Sequence, residues 1–403
     1  MSDFQNQLYQ DIAAANKERY WPGFELVAFA VYDHSQVYLF NHPKFKTDHQ
    51  RDYHVIKRNE QFNGCTLILY EEYPTAIVDL SLVEGYEDIY SILIHELFHG
   101  FQYLKGENRF PDEMKGITYP LLKENIELRN RERINLFNAL IEEDKVKKKQ
   151  YLNSFIALRE LRASKINEYL EYETLIETVE GPAWYVELKA YSEKSSKSYS
   201  SVLKKYGQSL LDIYESTSNL RRSCYSSGLF MCLLLDEFSP DWKDQFLSGK
   251  GTLYDIFKLL SDEEYSDTPS EGAEISLDPD DVIHFALEKR ENEFKKFQEQ
   301  KGVRLNIFGE ITARSFDPMN IITLGERMLH NNFLKIRINN EDYLLQQPVI
   351  AYSKNGLKDI YKLNLIIKSE PVENIGSLAI EGVGEIKGRV MKQGNSFNLF
   401  TNE

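Results

Sequence analysis

Cysteine is scarce. Cys65, Cys224 and Cys232 are the only three in a chain of 403 residues. So odd and small a number supplies no framework of bridges and fits a reducing compartment. Long apolar runs are missing too: the longest, 26–32 and 229–235, are far too short to cross a bilayer. There is no basic excess. With 48 basic and 63 acidic side chains the formal charge is −15, the wrong sign for a general nucleic-acid footprint. The first residues carry neither a basic n-region nor an apolar h-region, so no secretory leader is expected and the cytoplasm is the default location. No Gly-rich loop of Walker or Rossmann spacing occurs, and no internal repeat.

What is present is a globular composition. Apolar residues make up 42% and charged residues 28%, with 25 tyrosines and 23 phenylalanines. That is enough apolar bulk to build a core without a disulfide or metal staple, and it argues against disorder. The length favours two or three domains.

The texture changes along the chain. Residues 3–19 read as a helix, with Phe4, Leu8 and Ile12 at spacing four. From 24 to 81, short β-branched and aromatic segments alternate with turn residues, the pattern of a small mixed sheet. A helix is expected at 87–105, with Gly106 as its stop. Residues 121–180 contain no Gly or Pro. A helical hairpin is expected over 121–176, bent near Glu143-Asp144 and lying outside the catalytic core. Further helices are expected near 182–206, 225–237 and 252–261. The acidic stretch 261–281, with Pro269, Gly272 and Pro279, reads as a linker, and 282–300 as a charged helix closing a first region of 1–301. Alternating apolar residues then return, and 303–403 is expected to be a β-rich domain. The expected class is α+β.

One pentapeptide carries chemistry. His95-Glu96-Leu97-Phe98-His99 matches H-E-x-x-H on the helix expected at 87–105. Positions i and i+4 share a helix face, so both imidazoles can reach one cation. Neutral imidazole suits zinc, and a catalytic zinc site takes three protein ligands. Glu96, between them, could take a proton from a metal-activated water and return it to a leaving amine. By composition alone such a pentapeptide arises in roughly one chain of this size in a hundred. A third ligand is needed.

Thr178-Val179-Glu180-Gly181-Pro182-Ala183-Trp184-Tyr185-Val186-Glu187 resembles the third-ligand segment of the gluzincin metallopeptidases, closest to the aminopeptidase N and leukotriene hydrolase group. The resemblance implies a zincin-like catalytic domain, with Glu180 as the third zinc ligand beside His95 and His99. Glu187, two turns further along the same face, could orient a ligand histidine; the alternative is a solvated carboxylate. Tyr225-Ser226-Ser227-Gly228 is similar to the Tyr-x-x-Gly helix start of that group, which implies that Tyr225 donates to the developing oxyanion. Two departures are clear. His99 and Glu180 are 81 positions apart (180 − 99), longer than in the aminopeptidases. Their Gly-x-Met-Glu-Asn segment is absent, so exopeptidase specificity does not carry over. In its place 74–80 is expected as an edge strand for an extended substrate.

The remaining histidines, His34, His42, His49, His54, His284 and His330, have no partner at metal spacing and are expected in turns or at the surface. The combined expectation is a zinc (Zn2+) metallopeptidase acting on a peptide or protein substrate, with no nucleic-acid or membrane partner. Two alternatives stay open: an inactive peptidase-like binding or scaffold protein, and a zinc hydrolase of a non-peptide substrate.

Overall fold

The computed structural model describes residues 2–45, 53–261, 278–354, 356–357 and 359–401. Most of the stretch read as an acidic linker, and His49, lie outside the described residues. The chain is α+β and divides into two compact units: residues 1–111 with 122–277, and residues 112–121 with 278–403.

The first unit contains a five-stranded mixed sheet: β1 (Ala28–Tyr32), β2 (Gln36–Phe40), β3 (His54–Lys57), β4 (Thr66–Tyr70) and β5 (Tyr73–Asp79). The order is β3-β2-β1-β5-β4, with β1 parallel to β5 and the other pairs antiparallel. Strand alternation sends Phe29, Val31, Ala76 and Val78 into the core shared with the helices. Ala30, Tyr32 and Ile77 go to the opposite face, where Phe62 covers them. Burial on both faces explains why β1 reads as an unbroken apolar run. β5 is interior, so the expectation of an edge strand at 74–80 is corrected: among the described residues the edge on that side is β4.

Tyr86–Leu104, the histidine helix, lays Leu93, Ile94, Leu97, Phe98 and Phe101 into the same core. The hairpin follows as Lys123–Ile141 and Lys145–Lys194, and Asp144 caps the second arm by accepting from the amides of Val146 and Lys147. Two expectations change here. The second arm does not stop at 176. It runs on through Glu180 and Pro182 to Lys194, with one non-helical residue, Ile166, inside it. Nor does the hairpin lie outside the core: Leu136, Ala139, Leu152, Phe155 and Ile156 share the core of the histidine helix.

Its inner face also buries charge. Arg159 donates to Glu132 at 2.6 Å and to Glu177 at 2.6 Å. Arg162 bridges Glu132 and Glu173, and Arg129 reaches Glu173 at 2.9 Å. Each of these buried charges meets an opposite one, the condition under which such groups are tolerated inside a protein.

Further helices follow, among them Tyr199–Leu211, Ile213–Ser218 and the tyrosine helix, Leu220–Phe238. The tyrosine helix crosses the glutamate-bearing arm at two glycines. A Cβ on Gly228 would lie 2.6 Å from the Gly181 Cα and 2.8 Å from the Glu177 carbonyl oxygen, so only hydrogen fits there.

The second unit is β-rich. Val303–Phe316 is its spine, antiparallel to Ile360–Ile367 and Leu334–Ile338 and parallel to Ser396–Phe400. The helix Pro279–Gln298, expected to close the first region, belongs instead to this unit. The reason is its apolar face: Phe294 and Phe297 pack with Leu329, Ile350 and Ile366. The short helix Glu113–Ile117 joins the same unit, where Thr323 donates to the Ile117 carbonyl at 3.1 Å.

Candidate metal centre

His95 and His99 project from successive turns of the histidine helix, and their ring centroids are 4.7 Å apart. Nε2 of His99 lies 3.0 Å from Nε2 of His95 and 3.2 Å from Oε2 of Glu180. Nε2 of His95 lies 3.5 Å from that same oxygen. Tetrahedral zinc with bonds near ~2 Å would space its ligand atoms about 3.3 Å apart. The three atoms form a triangle of that size, and no other group of three His, Cys, Asp or Glu among the described residues could hold a metal in this way.

Proton placement sharpens the fit. Nδ1 of His99 is 2.7 Å from Oε1 of Gln102, whose amide nitrogen donates to the Val179 carbonyl at 2.9 Å. A carbonyl only accepts, so the Gln102 oxygen must face His99, and His99 carries its proton on Nδ1. Nδ1 of His95 lies 2.9 Å from Oε2 of Glu187, close in charge terms though off the line of a good hydrogen bond. A carboxylate again calls for the proton on Nδ1. Tyr206 donates to the other Glu187 oxygen at 2.9 Å. Both Nε2 atoms converge with a carboxylate oxygen on one point. Such a set could hold a metal cation.

Electrostatics agree. Burial pushes the Glu180 carboxyl up, but His99 and His95 outweigh it and hold the group well below the usual carboxylate range. Burial works against charge on both imidazoles and is likewise outweighed, by Glu180 and Glu187 at His95 and by Glu180 at His99. The triangle favours positive charge.

Glu96 stands apart from the ligand set. It is buried, and burial raises its carboxyl above the ordinary range against the pull of His95 and His99. Among the described residues no donor hydrogen-bonds to it. Cys65 leads into β4, and burial raises its thiol, with the Glu96 charge acting in the same direction.

Tyr225 lies in the second turn of the tyrosine helix rather than at its first residue. Its ring is 6.4 Å from that of His95 and packs edge-on to Trp184 at 5.7 Å. Burial, and then the Glu180 charge, raise the phenol well above its ordinary value, with the Arg221 charge opposing them. His95, Glu96, His99, Glu180, Glu187 and Tyr225 are thus brought together. Gln102, Tyr206 and Arg221 are site residues that sequence reasoning missed. Gln102 was within reach of a spacing argument, three positions after His99 on the same face. Two histidines expected in turns or at the surface are buried instead: His42, which meets the Tyr70 carbonyl at 2.9 Å, and His330, inside the β-rich unit.

No family model, curated protein or solved structure matches the chain. Among the described residues no helix is long and apolar enough to cross a membrane.

Proposed function

We propose that the chain is a cytoplasmic zinc-dependent peptidase with a gluzincin-type, zincin-like catalytic region. His95, His99 and Glu180 would hold the ion. The observation that carries the reading is the convergence of two imidazole Nε2 atoms and a carboxylate oxygen within 3.0–3.5 Å. Zinc bound there would polarise a substrate carbonyl and acidify a nearby water. Glu96, to which no donor among the described residues hydrogen-bonds and whose carboxyl burial raises, would take a proton from that water and later pass it to the leaving amine. Glu187 and Gln102 keep the two imidazoles in the tautomer that presents Nε2. Tyr225 offers a neutral hydroxyl to the carbonyl oxygen as charge develops on it. An extended peptide would add to β4, the edge of the sheet on that side among the described residues.

The test combines metal analysis with a peptide-library digest, with and without chelator. About one zinc per chain is expected, with chelator-sensitive cleavage. Glu96→Gln should keep the zinc and lose cleavage, while His99→Ala should lose most of the metal. Protein that takes up no zinc after reconstitution sinks the reading. Protein that binds zinc yet cleaves no peptide is a scaffold or a hydrolase of another substrate.

A further inference from the structure

Glu180 is buried, and its two oxygens do different things. Oε2 faces the histidines, while Oε1 accepts from Nη2 of Arg221 at 3.1 Å. A carboxylate held by one oxygen alone can swing, or offer both oxygens to an ion. A guanidinium is a planar fork with fixed donor directions and removes that freedom, whereas an ammonium is a point charge on a flexible stem.

Arg221 is placed by the same packing that places Tyr225. The two are four residues apart on one face of the tyrosine helix, and the Gly228–Gly181 crossing fixes that helix one residue from Glu180. The Arg221 guanidinium carbon lies 5.9 Å from the Tyr225 ring centroid. The arginine side chain is a quarter exposed (25%), so it lines the rim of the site rather than its floor.

We infer that Arg221 is a positioning residue of the metal centre, holding Oε1 of Glu180 so that the carboxylate meets the ion through Oε2 alone. The inference rests on the proposed metal reading and assigns a role to a residue outside the ligand motif. It also gives the tyrosine helix two tasks from adjacent turns: orienting a ligand and presenting a hydroxyl.

The experiment uses the full chain as wild type, Arg221→Met, Arg221→Lys and, as a neighbour control, Arg222→Met. Arg222 extends toward Trp184 instead, 5.7 Å from its ring. Zinc affinity is measured by competition with a chelating dye. Cobalt(II) substituted for zinc reports coordination through its visible absorption bands, which a purely structural role would not move. Arg221→Met should weaken zinc binding roughly 10- to 100-fold. It should also weaken the cobalt bands, because a released Glu180 can bring a second oxygen to the ion. Arg221→Lys should fall between, and Arg222→Met should match wild type. Unchanged affinity and spectrum in Arg221→Met overturn the assignment. If that variant fails to fold, Arg221→Lys decides by the same two readouts. A wild type that takes up neither zinc nor cobalt overturns the metal reading and this one with it.

Discussion

Tyr225 sits among Trp184, His95 and Arg221, and these neighbours decide what its hydroxyl can do. Burial keeps it a neutral phenol, a donor rather than a base. Tyr225→Phe keeps the ring and its packing and removes one donor. Turnover should fall roughly 100- to 1000-fold, the usual loss for one oxyanion donor. Zinc content and melting temperature should change little, and KM less than kcat. Normal turnover in the Phe variant would move the transition-state role elsewhere. At this scale the sequence was legible where spacing sets geometry. The placing of His95, Glu96 and His99 on one helix follows from a helical period and that of Glu187 from its two-turn spacing, whereas Glu180 and Tyr225 were expected only from the family resemblance of their segments. Arg221 was not legible, because nothing in a surface-like Arg-Arg pair distinguishes the residue that turns inward to Glu180 from the exposed one beside it.

Helix crossings bring those side chains together. Gly228→Ala would place a Cβ 2.6 Å from the Gly181 Cα. Backbone on both sides cannot yield as a side-chain tip can, so the helices must part. Overpacking of this kind costs roughly 1–3 kcal/mol. Because Glu180 is the residue before Gly181, zinc affinity should fall along with the melting temperature. An Ala variant with both unchanged would show that the crossing is looser than described.

The sheet at 24–81, the histidine helix, the hairpin bend and the β-rich end were readable from periodicity. The helical run from the Ile166 kink on to Lys194 was not, since Gly181-Pro182 looks like a helix break; there the glycine serves the crossing, and tertiary packing carries the helix past the proline. The hairpin's place in the core was hidden for another reason. Arg129, Glu132, Arg159, Arg162, Glu173 and Glu177 occupy inward positions, so the apolar stripe that normally marks a buried helix face is broken. Strand order also escaped, because β4 and β5 differ in burial only after pairing.

On the scale of the whole chain, two units with separate cores can respond separately to solvent. His330 lies in the β-rich unit, on the strand Arg327–His330, and burial alone holds its imidazole down to about 4. Both folded and unfolded forms are neutral above the ordinary histidine value of about 6.5. Below it the unfolded chain gains a proton that the folded strand refuses, so stability falls as pH drops from there toward 4. The loss approaches about 3 kcal/mol. Amide hydrogen exchange along Arg327–His330 should accelerate over that window, beyond the change in intrinsic exchange rate, and His330→Leu should flatten the response. An equal response in the variant would assign the acid sensitivity to other groups.

Lys145–Lys194 has a further consequence at this scale. One rod carries Glu173 and Glu177, which meet the buried arginines, and Glu180 and Glu187, which face the histidines. These groups share a rotational phase. Each residue turns an α-helix by about 100°, so one residue added or deleted between Ile166 and Glu173 would swing all four carboxylates away from their partners at once. Between Ile166 and Glu187 the chain length is as restricted as the residues themselves, whereas the bend at 142–144 can lengthen at little entropic cost. The arithmetic of turns along this helix ties the arginine cluster and the candidate centre to a common count.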